Sequence, residues 1–204
     1  IDPFSIEMVR AVYADRLAAA PAFQPSSENL ESVYERMVRV MEASHGPHPG
    51  RRFPQPVAVV VTKVDAFDLE RYIGMPAARE LLRRDPHLRL EEDAISILVE
   101  RFLVQYGAYN FVSSLHGQFS TVKFFSSSAL GYDPNSSFSP VRALQPLLWI
   151  MGEVGALPVR RQRARSVDHF DREQGRQQRR GLRHYLWNSL EPVQISPTGQ
   201  ERRR

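Results

Sequence analysis

The sequence predicts an α/β domain built on a parallel sheet. Three observations predict it. Val57-Ala58-Val59-Val60-Val61 is a short, continuous β-branched run, the pattern of a strand covered on both faces. A second such run, Thr121–Ser126, carries Val122, Phe124 and Phe125. Between and around the two lie stretches of helical periodicity, and strands that alternate with helices pack as layers around a parallel sheet.

Along the chain, Ile1–Pro3 are expected to be the last residues of a strand leaving the core. Residues 5–19 show helical spacing at Ile6, Val9, Val12, Tyr13 and Leu17, and Pro21 and Pro25 then break the chain. Residues 27–44 are a clearer helix. Leu30, Val33, Tyr34, Met37 and Met41 fall on one face, Ser26 or Ser27 is the expected cap, and Gly46 lies just past the end. Six glycines and prolines make residues 46–56 an expected loop before the first strand. Residues 66–84 are polar, with room for a short helix or two.

A single long helix is expected from about Glu91 to Leu115. Ile95, Leu98, Val99, Phe102, Tyr106, Tyr109 and Val112 form its apolar stripe, and Glu91, Glu92 and Asp93 occupy its first turn, where the helix dipole favours negative charge. After the second strand, residues 131–139 read as a loop rich in Ser, Gly, Asn and Pro. Pro146 suits the first turn of a last, strongly apolar helix, 146–154, whose Trp149 is expected in the core. The chain then changes character. Residues 1–155 hold 15 Lys/Arg and 18 Asp/Glu, a net of −3, whereas 156–204 hold 12 Arg and 5 Asp/Glu, a net of +7. The sequence thus divides into a domain, 1–155, and an Arg-rich tail, 156–204, expected to be disordered apart from an apolar island, Leu182–Trp187.

Composition narrows the function classes. The 204 residues are 42% hydrophobic and 25% charged, ordinary for a globular protein, and contain no cysteine, which excludes disulfides and thiolate metal sites. No apolar run is long enough to cross a bilayer, and there is no signal-peptide pattern, so a cytoplasmic location is expected. His45 and His48 have metal-ligand spacing, but two ligands in a loop make a poor site. Ser126–Ser128 have no nearby His/Asp arrangement that would activate a hydroxyl. The tail's arginines are interleaved with acids and glutamines, which favours a solvated extension over a nucleic-acid-binding one.

The segment that carries chemistry is Val59-Val60-Val61-Thr62-Lys63-Val64-Asp65, a buried strand ending in Thr-Lys-x-Asp. It resembles the guanine-specificity motif of P-loop GTPases, in which the carboxylate accepts two parallel hydrogen bonds from the N1–H and exocyclic amine of guanine. Adenine lacks that donor pair and would leave the carboxylate unpaired. The Lys63 stem can lie over a purine face with its ammonium near ribose oxygens, and the Thr62 hydroxyl can tie the loop to a neighbour. Ligands of open parallel sheets bind beyond the carboxyl ends of the strands. The second strand also ends in small residues, Ser126-Ser127-Ser128-Ala129-Leu130-Gly131.

Together these segments resemble the guanine-specificity motif and the Ser-Ala-Lys/Leu loop of P-loop GTPases, with the helix at 146–154 in the place of the family's final helix. Gly107–Val112, the Phe-Phe-Ser-x-Ser-Ala-Leu-Gly stretch and Pro146–Trp149 narrow the resemblance to bacterial double-GTPase-type domains of predicted conflict systems. It covers about residues 1–155 and implies the C-terminal part of a three-layer GTPase fold. It also implies GTP or GDP as ligand, Thr62, Lys63, Asp65, Ser128, Ala129 and Leu130 as the guanine-reading residues, and a protein partner. The departures are as informative. No Gly-x-x-x-x-Gly-Lys-Ser/Thr and no Asp-x-x-Gly is present. The phosphate-binding half, with its Mg²⁺, is expected upstream of Ile1 or lost, and the chain as it stands is expected to bind nucleotide weakly and not to hydrolyse it. The competing expectation is a non-enzymatic interaction module on a degenerate GTPase fold.

Overall fold

The computed structural model describes residues 1–46, 50–131 and 139–157. The expectations for the tail, for His48 and for most of the 131–139 loop lie outside the described residues. Among those described, the architecture is mixed α/β. Strand β1, Phe53–Val61, pairs in parallel with β2, Phe119–Ser126. Helices cover both faces. Successive β2 residues point to opposite sides, so Phe124 meets His116 of one helical layer while Phe125 meets Trp149 of another. No helix is long and apolar enough to cross a membrane.

Both strands begin earlier than their β-branched runs suggest. Residues 53–56, expected as loop, belong to β1, because Phe53 stacks on Phe119 at 5.4 Å between ring centroids. A register shift between Phe53 and Pro56 absorbs the two prolines. Pro56 shares the parity of Val60 and Thr62, so its missing N–H falls on the edge of β1 away from β2, where no ladder bond is lost.

On that edge Ile1 makes one parallel rung. Its amino group donates to the Val60 carbonyl (2.6 Å), and its carbonyl accepts the Thr62 N–H (2.8 Å). β1 therefore has backbone partners on both sides at its carboxyl end. The chain turns at once into a 3₁₀ turn, Pro3–Ser5, capped by the Asp2 side chain, and then into two short helices, α1 (Glu7–Val12) and α2 (Ala14–Ala18), broken at Tyr13. Helix α3 spans Leu30–His45. Its cap is Asn29, whose side-chain Oδ1 accepts the Glu31 N–H, and not Ser26 or Ser27. Leu30, Tyr34, Met37 and Met41 pack on the core, and Val33 is left at its margin, 36% exposed.

Between the strands lie a 3₁₀ turn (Ala66–Asp68), α4 (Glu70–Ile73), α5 (Met75–Arg84), α6 (Glu91–Gln105) and α7 (Tyr109–Gln118). The expected single helix over 91–115 is thus two. Gly107, at φ 97°, ends α6 in a Schellman arrangement: its N–H bonds the Val104 carbonyl, and the Ala108 N–H reaches back to Leu103. The restart rotates Tyr109 into solvent while Val112 stays buried. Helix α6 packs on β2 and anchors its outer edge, since the buried Ser96 hydroxyl accepts the Phe124 N–H.

The last helix, α8 (Gln145–Glu153), has Pro146 in its first turn and packs on β1. The expected burial of this helix is only half met. Pro146 is buried and Trp149 touches Phe125, but Leu147 and Leu148 are exposed, as are Leu144 and Val154 at its ends.

Candidate functional site

The two loops singled out in the sequence leave the same end of the parallel sheet. They are stitched together there: the Ser127 N–H donates to the Val61 carbonyl (2.8 Å), and the Val64 N–H donates to the Ser127 carbonyl (3.3 Å). This juxtaposition follows from parallel pairing in register, Val61 opposite Ser126.

Thr62 faces Ile1. Both its N–H and its hydroxyl donate to the Ile1 carbonyl, the latter at 3.1 Å. The next residue, Lys63, adopts the left-handed conformation at φ 54°. Its ammonium is held by the Asp2 carboxylate at 2.7 Å and the Gln24 carbonyl at 3.1 Å, and it lies 4.9 Å from the centroid of the Phe23 ring. The Asp2 carboxylate is buried, and two backbone N–H groups also donate to it, those of Phe4 (2.9 Å) and Ser26 (2.8 Å).

Asp65 contrasts with its acidic neighbours. It is half-buried and sits at the start of the 66–68 turn, yet its carboxylate caps no helix and has no hydrogen bond or ion pair among the described residues. Immediately after it, Phe67 and Asp68 are both left-handed, at φ 53° and 66°. Three non-glycine residues in that region within six positions store local strain, and such strain persists only where the surroundings over-determine it. The surroundings here are aromatic. Phe67 packs with Phe4, Tyr13 and Phe23 at centroid distances of 5.1–5.7 Å, and the Arg16 guanidinium covers its ring at 5.0 Å and donates to its carbonyl. The loop holding Asp65 is thus rigidly seated while its carboxylate is free to accept.

At the end of β2, Ser126, Ser127 and Ser128 are buried. Ser128 forms an antiparallel bridge with Val141, and its hydroxyl accepts the Gly131 N–H. Gly131 lies at φ 103°, where a Cβ would come within 2.5 Å of the Ser139 carbonyl oxygen, so a side chain is excluded twice over. Ala129 and Leu130 are exposed at the tip of this turn, and their N–H groups have no backbone partner among the described residues.

A buried ion pair holds the turn in place. The Arg142 guanidinium grips the Glu70 carboxylate with two nitrogens, Nη1 at 2.7 Å and Nη2 closer still. Its Nε donates to the Ser126 carbonyl (2.9 Å) and its Nη2 to the Ser126 hydroxyl (3.1 Å). Glu70 also accepts the Met75 N–H at the start of α5. One arginine therefore links α4, α5 and the end of β2.

Asp2, Phe23, Phe67, Glu70 and Arg142 carry no motif that marks them in the sequence. Asp2 alone had a signal, a carboxylate just past an expected strand end. His45 sits at the end of α3 with its Nδ1 near the Met41 carbonyl, and no cluster of metal-binding side chains occurs among the described residues. No protein-family model, curated protein or solved structure matches this chain.

Proposed function

We propose that the carboxyl edge of the β1–β2 sheet reads guanine, in a nucleotide-binding protein of the GTPase kind, with Asp65 as the base-specific acceptor. The observation that carries this reading is the Asp65 carboxylate: it has no partner among the described residues, and it sits on a strained, well-seated loop at the carboxyl end of a parallel sheet, where such sheets bind ligands. Charge-assisted hydrogen bonds are strong, and a desolvated carboxylate facing a donor pair discriminates well against a base that lacks it. The exposed Ala129 and Leu130 N–H groups suit the guanine carbonyl oxygen, with Ser128 shaping the turn. Thr62 secures the loop and Lys63 presents its stem. GTP or GDP is the proposed ligand. Phosphate and Mg²⁺ would need a cradle that this stretch of sequence does not encode, so hydrolysis is proposed only for a chain that also carries one.

A second reading, a protein-interaction module on the same fold, is favoured by the exposed Leu144, Leu147, Leu148 and Val154 along α8.

Base reading can be tested without phosphate chemistry. Titration of the ¹⁵N-labelled protein with GMP and with AMP should give saturable shifts at Lys63, Asp65, Ala129 and Leu130 for GMP alone. Asp65→Ala should weaken GMP binding by about 10- to 100-fold, the value of a charged hydrogen-bonded contact of about 1.5–3 kcal/mol. Equal shifts from both nucleotides, or none from GMP, would refute the guanine assignment.

A further inference from the structure

The Asp2 carboxylate joins three separate segments of the site, and nothing in the guanine-reading scheme needs it. It is nine-tenths buried and collects three donors from three separate segments. These are the Phe4 N–H on its own turn, the Ser26 N–H on the chain leading to α3, and the Lys63 ammonium on the β1 loop. Lys63 is also clasped from the far side, by the Gln24 carbonyl and the Phe23 ring. Segment 23–26 has no helical or strand bonds of its own across this stretch. Its attachments here are the Phe23 ring in the aromatic cluster, the Phe23 N–H on Ala20, and the bonds to Asp2 and Lys63.

We infer that Asp2 is a positioning residue, which through Lys63 makes segment 23–26 a third wall of the guanine-reading edge. Two consequences follow from the chemistry. Lys63 stands in the left-handed region with its ammonium held on one side, so the direction of its stem is set by Asp2 rather than by the strand. Because one ammonium serves both Asp2 and Gln24, a base that stacks on the Lys63 stem where Asp2 holds it also tightens residues 23–26. Base occupancy and the order of that segment are then thermodynamically coupled, each altering the other by the same factor. This inference rests on the guanine reading for its ligand, but its structural half stands without one.

The experiment has two arms. Amide hydrogen exchange is measured on the whole chain for the native protein, Asp2→Asn, Lys63→Met and the double variant. Asp2→Asn is nearly isosteric, and Lys63→Met leaves the Asp2 carboxylate its two N–H donors; circular dichroism checks that each variant keeps the fold. Each single variant is expected to raise exchange at Ser26, whose N–H Asp2 accepts, about tenfold, and the double variant no more than either alone, since both break one unit. A hundredfold rise in the double variant, or unchanged exchange at Ser26 in both singles, would overturn the proposal.

In the second arm, GMP is titrated into the native and Asp2→Asn proteins. Asp2→Asn should weaken GMP several-fold, and GMP should lower exchange at Ser26 in the native protein only. If native protein binds GMP but Asp2→Asn binds it equally well, the positioning role fails while guanine reading survives. If native protein does not bind GMP but the exchange cycle is non-additive, the guanine reading fails and the structural unit stands.

Discussion

Replacing Arg142 by methionine removes the guanidinium while keeping much of the side chain's volume. The Arg142 and Glu70 side chains are only 7% and 8% exposed, so the pair lies out of water. The variant leaves Glu70 with a single donor, the Met75 N–H, and strips the Ser126 carbonyl and hydroxyl of their Arg142 partner. Breaking a buried pair from one side costs about 3–5 kcal/mol, because the remaining charge stays buried and uncompensated. Against the roughly 5–15 kcal/mol of a typical domain, that is a large fraction. With a urea dependence of about 1–3 kcal/mol per molar, the unfolding midpoint should fall by about 2 M. Arg142→Met combined with Glu70→Leu should cost much less than the two singles added together, because no charge is left behind. Urea unfolding followed by tryptophan fluorescence and circular dichroism measures all four corners of the cycle. Amide exchange should rise at Ser128 and Gly131, the hydrogen-bonded amides of the turn that Arg142 anchors through Ser126. A loss below 1 kcal/mol for Arg142→Met, or simple additivity in the double variant, would refute the claim that this pair holds the site together.

Two further outcomes are expected. A Cβ on Gly74 would overlap the Glu70 carboxylate, so Gly74→Ala should destabilise by about 1–3 kcal/mol. In the Arg142→Met background, where Glu70 can swing away, it should destabilise less; the same urea series reads both. Burial pushes the Tyr13 phenol up, well above its ordinary value of about 10, so the folded state keeps a proton that the unfolded state loses first. Stability should therefore fall as pH rises beyond about 10, and Tyr13→Phe should abolish that part of the fall. The Tyr13 hydroxyl has no partner among the described residues, so this variant should be neutral or slightly stabilising at pH 7, as thermal melts at both pH values will show.

Local pattern in the sequence is enough to place β1, β2, α6 and α8, because alternation and helical spacing decide which side of each element meets the core. It also puts Thr62, Lys63 and Asp65 at one strand end and Ser128, Ala129 and Leu130 at another. Gly107 was a legible helix stop inside the long apolar stripe, but the periodicity runs on across it and hides the break. The early start of β1 was hidden too, since two prolines argue for a loop unless one knows that an unpaired edge receives them. Tyr109 emerges toward solvent because the helix restarts after Gly107, and Val33 because periodicity orients a residue without saying how far the neighbouring element extends.

What the tertiary structure alone decided is which charges meet. Lys63 and Asp2 are 61 positions apart and Arg142 and Glu70 are 72, and no local spacing relates them. A charge buried with its partner is tolerable and a charge buried alone is not, so these pairings follow from how the layers close over them. The same closure leaves Asp65, alone among the carboxylates crowded at this sheet edge, with nothing of the described protein to bind. The sequence names Asp65 as a candidate acceptor; only the packed structure shows its carboxylate seated and unused.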